Sequence, residues 1–210
     1  MNPIETRLQD WAPFAAAMAA VVAISNFAVQ YPFAYFGLGE ALTWGAFTYP
    51  VAFLINDLAN RRFGSAAARR AVYSGFVLAV VLSIYLATPR IAIASGSAFL
   101  LAQLLDTTIF NALRRRKWWQ APLLSTLIGS TLDTILFFGM AFSAAFAFLD
   151  AWTGMADGSL AMPVTFAGGT IALWQSLAIG DFFVKIGCGL AMLVPYGALM
   201  LWLPLAAPAR

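Results

Sequence analysis

The chain has no histidine, one cysteine, and charged side chains at only 10% of its 210 positions. Without histidine it lacks the usual proton shuttle at neutral pH and the commonest metal ligand. Cys188 stands alone inside an apolar run, so neither a disulfide framework nor a thiolate metal site is available. No G-x-x-x-x-G-K-[ST] run exists to cradle phosphates, and no H-E-x-x-H or G-x-S-x-G pattern supports a hydrolase. These absences imply no cofactor, no metal and no built-in ATPase. What is abundant is apolar surface: 62% of the residues, a share that no soluble domain of this length carries.

A spanning helix needs about 20 apolar residues. The expected architecture is an all-α integral membrane protein: one transmembrane domain over 1–210, a six-helix bundle with both termini cytoplasmic. The spans are placed at 12–36, 42–60, 71–88, 91–113, 121–149 and 182–203. The first lacks the short core and cleavage pattern of a removable signal peptide and is kept as a helix. The run from 121 to 149 is long for one crossing. After Asp150 comes a Gly-rich connector to about Gly169, then a short interfacial helix around Leu173 to Ile179 ahead of the sixth span.

Orientation follows from the basic residues near span ends. With both termini inside, cytoplasmic segments hold Arg7, Arg61, Arg62, Arg69, Arg70, Arg114, Arg115, Arg116, Lys117 and Arg210, whereas the outer segments hold Arg90 alone. Lys185 lies near the outer end of span six. Although the net charge is +3, this confinement of the basic residues to short loops is a topology signal and not a nucleic-acid face.

Acidic residues inside the apolar runs point to function. A carboxylate at mid-membrane costs about 2.5–3.5 kcal/mol on insertion scales, so it faces a cavity, a partner or a substrate path. Asp106 and Asp133 are the clearest cases. Span four carries Ser95, Phe99, Gln103, Asp106 and Phe110; at about 100° per residue these share a stripe of roughly 80°. Span five repeats the pattern with Thr126, Ser130, Asp133 and Phe137. A short loop joins the two spans as antiparallel neighbours, so the stripes are expected to face one cleft suited to a planar heterocycle. Counting in at ~1.5 Å per residue puts Asp106 about 10 Å deep and Asp133 about 18 Å deep, which disfavours an aspartyl dyad between them and hence an intramembrane enzyme. The bland alternative for Ser95, Thr126 and Ser130 is hydrogen bonding between helices. Asp57 pairs by spacing with Arg61, and Asp181 with Lys185, both at i, i+4. Asn26 in span one is a lone amide, either glue or ligand. Ala15, Ala19 and Ala23 recur every fourth residue, which suits close helix packing, within the chain or against a partner subunit. Trp118 and Trp119 are interfacial anchors, as is Arg90 unless it attracts or gates a solute.

Thr43-Trp44-Gly45-Ala46-Phe47, Asn56-Asp57-Leu58 and Arg61-Arg62-Phe63-Gly64 resemble the VUT family of vitamin-uptake and queuosine-precursor transporters. So do Arg90-Ile91-Ala92 with Ala94-Ser95, then Gln103 and Asp106, Arg116-Lys117-Trp118-Trp119, Ser125-Thr126 with Asp133, and Asp181 with Lys185 ahead of Pro195-Tyr196-Gly197. The resemblance covers nearly the whole chain in order. It departs in a very short loop between spans three and four and in a Gly-rich outer connector without a motif. It implies a six-helix bacterial inner-membrane importer of 7-deazaguanine bases for queuosine in tRNA, with the nucleobase and the bilayer as partners and no direct contact with nucleic acid. Such a base presents adjacent ring N–H and NH₂ donors to one carboxylate. Asp133 or Asp106 is the expected acceptor, Gln103 and Asn26 serve the other edges, and Phe99, Phe110 and Phe137 are stacking walls. Asp57, Arg90, Asp181 and Lys185 are candidates for gating or coupling. The alternative is a substrate-binding S-component of an energy-coupling-factor transporter, which needs a partner ATPase module and presents alanines at the spacing of Ala15, Ala19 and Ala23. Homo-oligomerisation is left open, as is the energy source.

Overall fold

The computed structural model describes residues 3–202, with side chains from Trp11 onward. Seven helices and one hairpin follow in order: α1 Pro3–Ala28, α2 Gly45–Phe63, α3 Ser65–Leu86, α4 Pro89–Leu113, α5 Gln120–Phe142, α6 Phe148–Thr153, β1 Pro163–Phe166, β2 Gly169–Ala172 and α7 Leu173–Leu199. Five of them, α1, α3, α4, α5 and α7, contain stretches long and apolar enough to cross a membrane. Large apolar side chains are exposed along these helices, among them Ile24, Val77, Ile84, Leu101, Ile128, Ile135, Phe183 and Val194. Buried positions, by contrast, include Asn26, Asn56, Asp57, Gln103, Asp106, Asp133 and Lys185. Polar inside and apolar outside is the arrangement lipid imposes, because hydrocarbon cannot solvate a polar group.

Helix α2 is the exception in composition. It carries Asn56, Asp57, Asn60, Arg61 and Arg62 and touches α1, α3, α4, α5 and α7. Asn56, Asp57 and Asn60 are buried against protein, and the contacts with five neighbouring helices place α2 at the centre of the bundle. One residue, Gly64, separates it from α3. Two apolar clusters fill the spaces around it. Met18, Val22, Ala52, Val72, Ala79 and Phe99 join α1 to α4. Leu58, Phe110, Ala121 and Tyr196 close the end that bears the basic loops.

Several expected boundaries shift. The first helix stops at Ala28 instead of residue 36; the chain then runs through a loop pinned by the Pro32–Thr43 bridge to α2. The fifth span ends at Phe142, and the remainder of the long apolar run turns back as α6. Within the Gly-rich connector, β1 and β2 form an antiparallel hairpin with Val164 opposite Ile171, so the chain is not wholly α. The break expected between an interfacial helix and span six is absent: α7 is continuous over 27 residues. Gly180 permits close packing there and does not interrupt the helix, since a Cβ at this position would lie 2.0 Å from the Ala41 carbonyl oxygen. Leu203 and Arg210 lie outside the described residues, as does the Arg7 side chain. Ala15, Ala19 and Ala23 are half-buried on α1.

Helix α4 begins with Pro89 in its first turn and the Thr88 hydroxyl accepting from the Ile91 amide at 3.4 Å, a standard start signal. The next residue, Arg90, is 1% exposed and acts as a clasp. It donates to Asp150 of α6 at 2.6 Å, to the Met140 carbonyl at 3.0 Å, to the Ser143 carbonyl, and to the Ser159 hydroxyl at 3.4 Å. Met140 and Ser143 belong to the end of α5, where helix carbonyls lack partners and favour a cation. Asp157, exposed and held below the usual carboxylate range by Ser159, lies 3.8 Å away. Breaking a buried pair leaves its partner charge uncompensated, at a cost of about 3–5 kcal/mol. Arg90→Ala is therefore expected to lower the melting temperature of the detergent-purified protein markedly. Arg90→Lys should recover only part of the loss, because a single ammonium lacks the planar fork. Equal melting temperatures for Arg90→Ala and the parent would refute the clasp.

Candidate functional site

A cavity of about 380 Å³ opens where the C-terminal ends of α1 and α3 meet the N-terminal ends of α2 and α4. This is the end of the bundle away from Arg61, Arg62, Arg114, Arg115 and Arg116. Its floor is charged and its walls are aromatic and aliphatic. Asp133 of α5 and Asp181 and Lys185 of α7 form the floor, and Phe137, Phe138, Phe142 and Tyr49 supply rings. Leu160 from the connector also reaches it.

The floor is an ammonium held between two carboxylates. Lys185 Nζ lies 2.7 Å from Asp133 Oδ2 and 2.5 Å from Asp181 Oδ2. It also donates to Thr134 Oγ1 at 3.2 Å, and that hydroxyl donates to Asp181 Oδ2 at 2.7 Å. The three ammonium hydrogens are thus all used. Each carboxylate spends only Oδ2 on this network; among the described residues neither Oδ1 receives a donor. Two carboxylates and one ammonium leave one formal negative charge beside empty space. The Lys185 nitrogen also lies 6.0 Å from the centre of the Tyr49 ring. The rings of Phe137, Phe138 and Phe142 pack edge-on or tilted at 5.1–5.9 Å.

The expected residues divide into two groups. Asp133, Asp181, Lys185, Asn26 and Phe137 line the cavity. The anticipated Asp181–Lys185 ion pair is present, widened to a triad by Asp133. Asn26 donates to the Val22 carbonyl and accepts from Ser83 at 3.2 Å. The α4 stripe reaches the cavity only through Ser95; Phe99, Gln103, Asp106 and Phe110 do not line it. Phe99 and Phe110 pack in the two apolar clusters. Asp106 accepts from Asn56 at 2.8 Å and lies beside Asp57. The two stripes therefore do not share one cleft. The physical reason is the close approach at Gly129, where a Cβ would meet Phe53 at 2.8 Å and the Ala102 carbonyl oxygen and Asp106 Cβ at 3.2 Å. That contact seals α5 against α4 and α2 on the side of Asp106. Asp57, expected beside Arg61, instead accepts from Ser125 at 3.2 Å and Thr126 at 3.4 Å on α5. Arg90 is committed to the clasp beyond the cavity.

Sequence reasoning missed Tyr49, Thr134, Phe138 and Phe142. Thr134 and Phe138 directly follow flagged positions on α5, which is the only signal they carried. Among the described residues, no group of three or more Cys, Asp or Glu side chains is placed to hold a metal ion.

An apolar-surfaced helical bundle with a charged, aromatic-walled cavity is the build of a multi-pass membrane transporter. The family model described as "Putative vitamin uptake transporter" matches residues 43–200. The chain belongs to that family. It is 33% identical over 202 residues to the "Queuosine precursor transporter" of Escherichia coli K12, covering 86% of this chain and 81% of the relative. The "Probable queuosine precursor transporter" of Haemophilus influenzae is 32% identical over 86% of this chain and 82% of its own length. A Bacillus subtilis protein with the same printed name is 28% identical over 54% of this chain and 62% of its own. No solved structure matches.

Removing the cation should expose the strain of the floor. Lys185→Gln leaves Asp133 and Asp181 facing each other with little water to screen them. The expected loss is about 3–5 kcal/mol, read as a lower melting temperature in detergent. Adding Asp181→Asn to Lys185→Gln should restore most of it. A double variant no more stable than the single one would show that like-charge repulsion is not the cause.

Proposed function

We propose that the chain imports queuosine precursors, 7-deazaguanine bases such as preQ0 and preQ1, across the bacterial inner membrane for tRNA queuosine salvage. The observation that carries this reading is the cavity floor. Asp133 and Asp181 line the cavity together with Phe137 and Phe138, and among the described residues neither Oδ1 receives a donor. The paired ring N–H and NH₂ donors of a deazaguanine match one carboxylate edge, and a flat ring suits aromatic walls. A volume near 380 Å³ is at the small end for ligand pockets, which suits a single bicyclic base. Asp133 is the proposed acceptor, Asn26 serves the opposite edge, Phe137 stacks, and Asp181 with Lys185 sets the charge of the floor. The relatives named for queuosine precursors support the same substrate class. On this reading the chain is a carrier and not an enzyme.

The test uses cells that cannot make the precursor. Supplied base should restore queuosine in their tRNA when the chain is expressed, and Asp133→Ala should reduce uptake at least tenfold at equal membrane abundance. Wild-type uptake by Asp133→Ala would remove that assignment.

The proposed topology counts α2 as a sixth crossing, central and shielded from lipid, with both termini in the cytoplasm. The clustering of Arg61, Arg62, Arg69, Arg70, Arg114, Arg115, Arg116 and Lys117 at one end of the bundle supports it. A C-terminal fluorescent reporter should glow in the cytoplasm, and a C-terminal periplasmic phosphatase fusion should be inactive. The reverse pair of results would invert the bundle.

A further inference from the structure

We propose that Asp57 and Asp106 form a proton-binding site, built between α2, α4 and α5 and separate from the substrate cavity. Both residues are essentially without solvent exposure, at 1% and 0%. They adjoin at the contact of α2 with α4, where Asn56, the residue before Asp57, donates to Asp106 Oδ2 at 2.8 Å. Two neighbouring carboxylates in a dry interior repel each other when both are ionised, so one proton on the pair relieves that cost. Their hydrogen bonds come from neutral groups. Ser125 and Thr126 donate to Asp57, and Asn56 donates to Asp106 Oδ2.

A second observation favours a proton on the pair. Asp106 Oδ1, Gln103 Oε1 and Asn60 Oδ1 are all fully buried and receive no donor. All three are acceptor atoms, and all three residues sit on the facing surfaces of α2 and α4, where Asn56 and Asn60 already bridge to Gln103, Asp106 and Thr107. Where buried acceptors outnumber donors, a carboxylic acid is favoured over a carboxylate, because its O–H adds a donor. The adjoining carboxylates favour the proton, which one pair of oxygens can share without a full coordination shell.

The charged and titratable groups around the pair are few. Arg61 lies one turn along α2, over the Tyr196 ring of α7 at 6.0 Å, and Arg114 ends α4. On α5 the facing groups are the hydroxyls of Ser125 and Thr126. Uptake changes one carboxylate to a carboxylic acid and removes one negative charge from the α2–α4–α5 junction. The same face of α5 that holds Asp57 through Thr126 holds Lys185 through Asp133 and Thr134 two turns on, about 10 Å away at 1.5 Å per residue. Protonation therefore biases the helix that forms the cavity floor, which is the physical requirement for coupling. This last step rests on the transport reading; the proton site does not.

Two measurements separate them. Infrared pH-difference spectra of the protein in lipid nanodiscs should show a protonated-carboxyl band that shifts in D₂O. The band should be reduced in Asp57→Asn and in Asp106→Asn and lost in the double variant. Its undiminished persistence in the double variant overturns the site. In proteoliposomes, an inward proton gradient should raise preQ1 accumulation at least tenfold over no gradient. Asp106→Asn should abolish that stimulation while preQ1 exchange continues. Stimulation by a sodium gradient in place of the proton gradient assigns the acceptor-rich junction to a metal cation and overturns the proposal. A parent protein that moves no preQ1 refutes the transport reading, and the infrared result still decides the proton site.

Discussion

An ammonium confined between two carboxylates, in a space from which lipid and packed helices exclude most water, is the interaction on which the rest depends. Each of Asp133, Asp181 and Lys185 alone carries an insertion penalty of about 2.5–3.5 kcal/mol. Together they offset one another, and the geometry leaves none of the Lys185 hydrogens idle. The triad joins α5 to α7 at depth, so the cavity wall is fixed by charge and not by apolar contact alone. It also stops one charge short of neutrality. That residual negative charge beside a cavity is what distinguishes a binding floor from a structural pin such as Arg90 with Asp150, where the guanidinium fills the space around its partner.

Helix α5 carries two polar stations on one face. Ser125 and Thr126 reach Asp57 on α2; Asp133 and Thr134 reach Lys185 on α7. Between them Gly129 brings α5 against Phe53 of α2 and against Ala102 and Asp106 of α4. The cavity of Asp133 and the buried acids Asp57 and Asp106 thus lie on either side of this contact, with α5 spanning both. Gly189 of α7, whose Cβ would stand 3.3 Å from the Thr126 methyl, keeps α7 close along the same helix.

Much of this was legible in the residues. Long apolar runs located the helices, and one spacing rule found the Asp181–Lys185 pair. What spacing could not supply was which inward-facing residues line the cavity and which fill the packed interior, because both lie on the same helix face. Phe99 and Phe110 share the α4 stripe with Ser95, yet they fill apolar clusters while Ser95 reaches the cavity. The i, i+4 rule also misassigned Asp57. Local spacing offered Arg61, but α5 brings two hydroxyl donors from 68 and 69 residues away. The partner of Arg90 lies 60 residues on, beyond a helix and a turn, and no local pattern announces it. The continuity of α7 was hidden because so long an apolar run reads as an interfacial helix followed by a span, whereas Gly180, without a side chain, lets one unbroken helix pass the Ala41 carbonyl.

Charge also decides what the cavity refuses. Its floor offers unspent carboxylate oxygens, and its one cation is fully committed to Asp133, Asp181 and Thr134. On the proposed reading, a phosphate would meet negative charge with no free ammonium to receive it, so electrostatics would disfavour nucleotides. A neutral or cationic solute that presents N–H donors would meet the opposite situation. Its donors would satisfy the Oδ1 atoms while its ring faces lay against Phe137 and Phe138. A free base would thus gain where its phosphorylated forms lose, and the discrimination would reside in a single lysine that has no hydrogen left to give.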